Sequence, residues 1–352
     1  MKKSLVLILA SMSLFNSSGA AELKKINICI PQWREELVIL NLLLAKDRGY
    51  FKKHNLEPNF VIKAFEPKPI TPGATKRMEI TQTVGNNFTK INKELEKCDF
   101  ATTSIETFYT NENLIAQVKP LQMVAYGGGY DTHLVVSKDS KINSIKDLVH
   151  KKIRFGLAST YVALDEALKK EGSSIMEVSM VDPGVTQLLP AIRSGKIDGA
   201  ISYFPTMQGL LASGEVKIIA KNLYGTYLKI PIPKSLLFTD KKFSEKNPEL
   251  VNDFMDTMKE VQVYSNQNPS QLALVLKKHA VGLGLPEWNI STSNIEKIDE
   301  FYAKFTPIYF DEKKEVEIDG KKYSPISMIE GYNKLLKDKN YVTNVANFQS
   351  WE

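Results

Sequence analysis

The stretch Leu189-Pro190-Ala191-Ile192-Arg193-Ser194-Gly195-Lys196-Ile197-Asp198-Gly199-Ala200-Ile201-Ser202-Tyr203 compresses a short helix, a left-handed stop and a buried strand into one run. Gly195 suits the left-handed residue that closes a helix. Ile197–Tyr203 is short and mostly apolar, the signature of a strand covered on both faces. On the amino-terminal side, Lys152–Leu157 (KIRFGL) reads as a strand, Ser159-Thr160 cap a helix that closes at Gly172, and Val178–Val181 is again a strand. On the carboxyl side, Thr206–Ala212 reads as a helix and Lys217–Ala220 as a strand. Strands alternating with helices of this length predict βαβ units around a parallel sheet.

The first part of the chain repeats the theme. Ile26–Pro31 (INICIP) and Asn59–Phe65 (NFVIKAF) read as strands, separated by an apolar helix, Glu35–Lys46, with Gly49 as its stop. Glu66–Arg77 holds Pro67, Pro69, Pro72 and Gly73 and reads as a long loop. A helix ends over Asn92–Lys97, Asp99-Phe100-Ala101 begins a third strand, and Thr102-Thr103-Ser104 offer caps for a helix through Glu112. The halves echo one another, because an acid opens the strand in each (Asp99, Asp198). Beyond Ala220 the pattern changes. Asn222–Lys234 reads as loop and Ser235–Thr239 as a short strand. Helices follow over Leu250–Ser265, from Asn268-Pro269, and over Ser291–Phe305. Lys313–Tyr323 reads as a hairpin around Asp319-Gly320, and Ser327–Lys337 as a last helix.

Length and composition agree with two packed units. The chain has 352 residues, 43% apolar and 24% charged, so disordered, collagen-like and rod-like classes are excluded. A net charge of +6, spread along the chain, makes no case for nucleic acid. Lys2 and Lys3, the apolar stretch Ser4–Phe15 and the small residues Ser17–Ala21 have the layout of a secretory signal peptide over 1–20. With no cysteine after the apolar stretch, the expectation is a soluble periplasmic protein rather than a lipoprotein. Export permits one disulfide between Cys29 and Cys98. Both cysteines sit in segments that read as buried strand, where a free thiol serves as a small hydrophobe, and free thiols are the expectation.

Four stretches carry a family likeness. They are Leu44–Leu56 (LAKDRGYFKKHNL), Ser144–Ile153 (SIKDLVHKKI), Leu189–Ala200 (LPAIRSGKIDGA) and Asn247–Val251 (NPELV). In order and spacing they resemble solute-binding proteins of bacterial ABC importers, in the group for nitrate, sulfonates, taurine and thiamine-pyrimidine precursors. The sequence departs from that pattern in places. Cys98 replaces a turn glycine, His150 stands where the group usually has Gly, and Pro190 falls inside a helix, where it is expected to cost one backbone hydrogen bond.

The resemblance implies an α/β fold of the type II periplasmic-binding class. Two lobes, each a mostly parallel sheet flanked by helices, are joined by two crossing segments. Here the lobes span 22–130 plus 226–352, and 131–225. Tyr126–Thr132 fits the first crossing, with Gly127, Gly128 and Gly129 as its hinge, and Asn222–Ile230 fits the second. The implied partners are a small-molecule ligand and an inner-membrane permease with its ATPase. Nucleic acid is not among them, and the expected state is a monomer.

Ligands of open α/β sheets sit outside the carboxyl ends of the strands. The candidate ligand-binding residues are therefore Gln32, Trp33, Thr103 and Ser104 in the first lobe, and Ser159, Thr160, Tyr161, Tyr203 and Phe204 in the second. Asn86 and Tyr130 join them. Hydroxyls at helix starts suit an anion, and Trp33, Tyr130, Tyr203 and Phe204 suit a flat ring. Arg34 and Arg154 are candidates to pair with an anion, with solvation at the surface the expected fate of each. The four histidines, His54, His133, His150 and His279, lack metal-ligand spacing, and no nucleophile or phosphate-loop motif appears. No cofactor, metal or enzyme activity is expected. A ligand sensor for a receptor or kinase is the alternative of another class, with a thiamine-pyrimidine enzyme of the same fold behind it.

Overall fold

In this computed structural model the described residues are 22–31, 37–63, 97–109, 112–126, 132–154, 158–181, 187–202, 206–285, 305–310, 315–318, 320–339 and 345–351. The expected leader, the Pro-rich loop, the helix ending at Lys97 and the helix Ser291–Phe305 fall outside them, except for Lys97 and Phe305. No helix among the described residues is long and apolar enough to cross a membrane.

The chain builds one sheet, leaves it, builds a second, and returns. Strands β1 (Lys24–Pro31), β2 (Leu56–Lys63), β3 (Phe100–Ser104) and β4 (Val118–Tyr126) enter the first sheet. The second holds β5 (His133–Ser137), β6 (Lys152–Arg154), β7 (Ser179–Val181), β8 (Gly199–Ser202) and β9 (Val216–Ala220). Strands β10 (Ile232–Asp240) and β11 (Phe305–Tyr309) complete the first, and β12 (Val316–Ile318) with β13 (Lys321–Tyr323) forms a separate hairpin. The strand orders are β11-β4-β10-β3-β1-β2 and β7-β6-β8-β5-β9.

Helices α1 (Leu37–Asp47) and α2 (Tyr50–Lys53) join β1 to β2, and α3 (Glu112–Gln117) precedes β4. The second sheet carries α4 (Ala158–Lys170), α5 (Leu188–Arg193) and α6 (Thr206–Ala212). After β10 come α7 (Lys241–Lys246), α8 (Pro248–Gln267), α9 (Ser270–His279) and α10 (Pro325–Asp338). The architecture is α/β with two sheets flanked by helices.

Both sheets are mixed, and two of the three exceptions share a cause. Strands β1–β4 all run one way and β6–β9 all run one way, while β5, β10 and β11 run against them. A strand entering from the edge by which others leave must run opposite to them. β5 and β10 are the strands that receive the chain from the other sheet.

Several sequence readings change. Thr103 and Ser104 do not cap a helix. They finish β3, paired with Leu236 and Ser235 of β10, and only a 3-10 turn, Ile105–Phe108, follows. Pro190 costs no backbone hydrogen bond, because α5 starts at Leu188 and its third residue needs no partner one turn back. Cys29 and Cys98 are not free: they form a disulfide with Cα atoms 5.8 Å apart. The echo between halves is reproduced in hydrogen bonds. The Asp99 carboxylate accepts from Asn27 N–H (2.7 Å) and the Asp198 carboxylate from Lys152 N–H (2.8 Å). In return, each aspartate N–H donates to the backbone oxygen of that same residue.

His150 has φ of 63°, the left-handed conformation its glycine-like position implies. A non-glycine residue pays about 1–2 kcal/mol there. Changing His150→Gly is therefore expected to stabilise the fold by up to about 1 kcal/mol after the added unfolded-state entropy is subtracted. Chemical denaturation of the two proteins measures the difference.

Candidate functional site

Where the chain crosses between the sheets defines the place to look. Tyr126, at the end of β4, pairs with Ile232, at the start of β10. In the second sheet, Leu134 of β5 pairs with Ala220, at the end of β9. The two crossings, 127–132 and 221–231, therefore leave and arrive side by side. Leu223 N–H donates to Thr132 O (2.8 Å), and Asn222 N–H donates to His133 Nδ1 (3.1 Å). An accepting Nδ1 places the neutral ring's proton on Nε2. Both crossings depart from the edges where β3, β4, β6, β8 and β9 end. Those carboxyl edges are thus the parts of the two sheets that the chain holds together.

On the second-sheet edge, α4 is the helix that follows β6 in the chain. Ser159 and Thr160 lie in its first turn and are fully buried, with Tyr161 buried beside them. The first turn is where a helix presents its N–H groups and positive dipole end. The Ser159 hydroxyl hydrogen-bonds the Tyr224 hydroxyl at 2.7 Å. Tyr224 opens a π-helical turn, Tyr224–Leu228, inside the second crossing, so this bond ties the helix start to the crossing itself.

Arg154, which ends β6, is not solvated. It is 4% exposed, and its guanidinium Nη1 donates to Ile201 O of β8 at 3.1 Å. Sequence reading favoured solvation at the surface for it over pairing with an anion. Farther along α4, Glu166 bonds Lys339, the residue closing α10, at 2.8 Å, and Lys169 at 3.3 Å. Burial pushes the Glu166 carboxyl up, but these lysines outweigh it and hold it below the ordinary glutamate range.

On the first-sheet edge, Thr103 and Ser104 are buried, and Ser104 faces Ser235 across the β3–β10 pairing. The β10 register shifts between Pro233 and Ser235, which leaves Lys234 as the extra residue of a bulge. Lys234 is fully buried, and sequence reading missed it by assigning Asn222–Lys234 to a loop. The available signal was a lone lysine within the apolar run Ile230–Phe238. Gln32, Trp33, Arg34, Asn86, Tyr130, Tyr203, Phe204 and the hinge glycines Gly127, Gly128 and Gly129 lie outside the described residues. Of the predicted site residues, the structure therefore places Thr103 and Ser104 on one edge and Ser159, Thr160 and Tyr161 on the other.

A family model described as NMT1/THI5 like matches residues 78–272, more than half of the chain. The chain belongs to the NMT1/THI5-like family. Its solved neighbours share the fold at low identity. The periplasmic aliphatic sulphonate-binding protein SsuA of Escherichia coli is 16% identical, with a TM-score of 0.59 over 93% of this chain and 91% of that one. The alkanesulfonate-binding protein SsuA of Xanthomonas axonopodis pv. citri, solved bound to MOPS, is 13% identical, with a TM-score of 0.61 over 94% and 98%. DszB, solved in complex with biphenyl-2-sulfinic acid and described elsewhere as a desulfurization enzyme, is 12% identical, with a TM-score of 0.58 over 92% and 96%. The solved neighbours that share this fold thus include both binding proteins and an enzyme. No curated protein sequence matches the chain.

Proposed function

We propose that this protein is the periplasmic solute-binding component of an ABC-type uptake system. It captures a small anionic or heteroaromatic solute between lobes 22–130 plus 226–352 and 131–225, then delivers it to a membrane permease and its ATPase. A signal peptide over 1–20 sends it to the periplasm. The observation that carries this reading is the pair of adjacent crossings at the carboxyl edges, with buried hydroxyls from both sheets at those same edges. A fold of this kind bends at its crossings, and a ligand touching both lobes favours the closed form. Binding rather than thiol chemistry also accords with the cysteines, since both of them are bonded to each other.

Mass spectrometry of the purified protein under native conditions identifies the solute it carries. Small-angle scattering with and without that solute then reports closure. The expected result is compaction on binding, and an unchanged radius with a bound solute would refute capture by closure. Replacing Ser159→Ala together with Thr160→Ala is expected to weaken binding at least about tenfold, one lost hydrogen bond to a charged group being worth about 1.5–3 kcal/mol. Calorimetric titration measures the loss, and circular dichroism checks that the variant is folded. Unchanged affinity removes these two residues from the site.

A further inference from the structure

Lysine and arginine number 46 in the chain, yet among the described residues only Arg154 and Lys234 have buried side chains. Charged side chains are seldom buried without a task, because the cost of desolvation is large. These two occupy matched places. Arg154 is the last residue of β6, at the carboxyl edge of the second sheet. Lys234 lies near the start of β10, on the edge where β3 and β4 end.

Local structure supports a purpose at each place. A bulge re-aims a side chain, and bulges gather beside functional sites. Lys234 is the bulged residue itself, next to Pro233, which has no N–H to offer the ladder. Beside it, the Ser235 hydroxyl is buried and has no hydrogen-bond partner among the described residues. The Thr132 hydroxyl is in the same condition at the first crossing. Arg154 is steadied by its bond to Ile201 O, and Ser202, the next residue, is buried at the end of β8. Cations accompanied by waiting hydroxyls form the donor set of an oxoanion. Arginine supplies a planar fork and lysine a point charge.

From this we infer that the solute is an organic oxoanion, a sulfonate, carboxylate or phosphonate, whose acidic group is held by Arg154 from one lobe and Lys234 from the other. The inference rests on the capture reading and narrows its ligand from two classes to one. It also makes the two cations the residues that decide specificity. Charge gripped from both sides rewards closure only when the anion is present.

Calorimetric titration tests this with ethanesulfonate, propionate and methylphosphonate at millimolar concentration, and with uncharged ethyl methyl sulfone as the control. The wild-type protein is expected to bind at least one anion and not the sulfone. Lys234→Met and Arg154→Met are each expected to weaken that anion by about 100-fold or more, with Lys234→Arg retaining most of the affinity. Circular dichroism verifies folding, and Lys234→Gln stands in if the methionine variant does not fold. The inference is overturned by anion affinities within about threefold of wild type in both methionine variants. It is equally overturned if the sulfone alone binds, or if no anion binds the wild type. In those cases, compaction with the solute carried from the cell would still uphold capture, and its absence would sink that reading separately.

Discussion

Removal of the Cys29–Cys98 bridge, by reduction or by Cys29→Ala with Cys98→Ala, is expected to lower folding stability by about 4 kcal/mol. The cysteines are 69 residues apart in sequence, so the bridge restricts a long stretch of the unfolded chain. Its Cα separation of 5.8 Å falls in the ordinary range for a bridge. β1 and β3 are already parallel neighbours, with Cys29 opposite Ala101. The bridge therefore fastens two strands that hydrogen bonds have brought together, and it encloses α1, α2 and β2 within one covalent loop. Denaturation in guanidinium, compared between oxidised protein and the double variant, measures the loss. Equal midpoints would show that the unfolded chain gains nothing when the bridge is cut.

Phe254→Ala is expected to cost about 3–5 kcal/mol. Phe254 lies on α8 and is fully buried. Its ring stacks on Phe100 of β3 with centroids 3.7 Å apart and planes 8° from parallel, and Phe51 of α2 lies 6.1 Å away. One ring thus joins the long helix from the second half of the chain to a central strand from the first half. Truncation leaves a cavity between a sheet and a helix that cannot easily collapse, because β3 is held by neighbours on both sides. The denaturation midpoint should drop while the slope stays constant, and a change below about 1 kcal/mol would contradict this packing account.

The fold was legible where a segment's own residues decide its structure. Ile26–Pro31 and Ile197–Tyr203 advertise buried strands through β-branched runs, and the observed β1 and β8 lie within or across them. Asp319-Gly320 announces a hairpin, and β12 and β13 flank it, with Gly320 at φ of 74°. Thr206–Ala212 was recovered to the residue. Legibility failed where a distant partner decides. Val118–Tyr126 (VKPLQMVAY) carries Lys119, Pro120 and Gln122, and becomes a strand because β10 and β11 flank it. The start of β10 holds Pro233 and Lys234 and reads as loop, yet a bulge absorbs both. Thr102, Thr103 and Ser104 suit a cap and a strand about equally, and pairing with β10 chose the strand. The site was half visible for the same reason. Ser159 and Thr160 follow from a local helix start, whereas the burial of Arg154 and Lys234 is a property of the assembled sheets.

The bond between Glu166 and Lys339 joins α4, on the second sheet, to the end of α10, which packs on β10 of the first. It is a clasp between the two halves, made of two charges that keep partial contact with water. Dissolved counter-ions compete for such a clasp, and acid weakens it by protonating the carboxylate as pH falls through its depressed titration range. The readiness of the two halves to part is thus tuned by the surrounding medium as well as by the cargo.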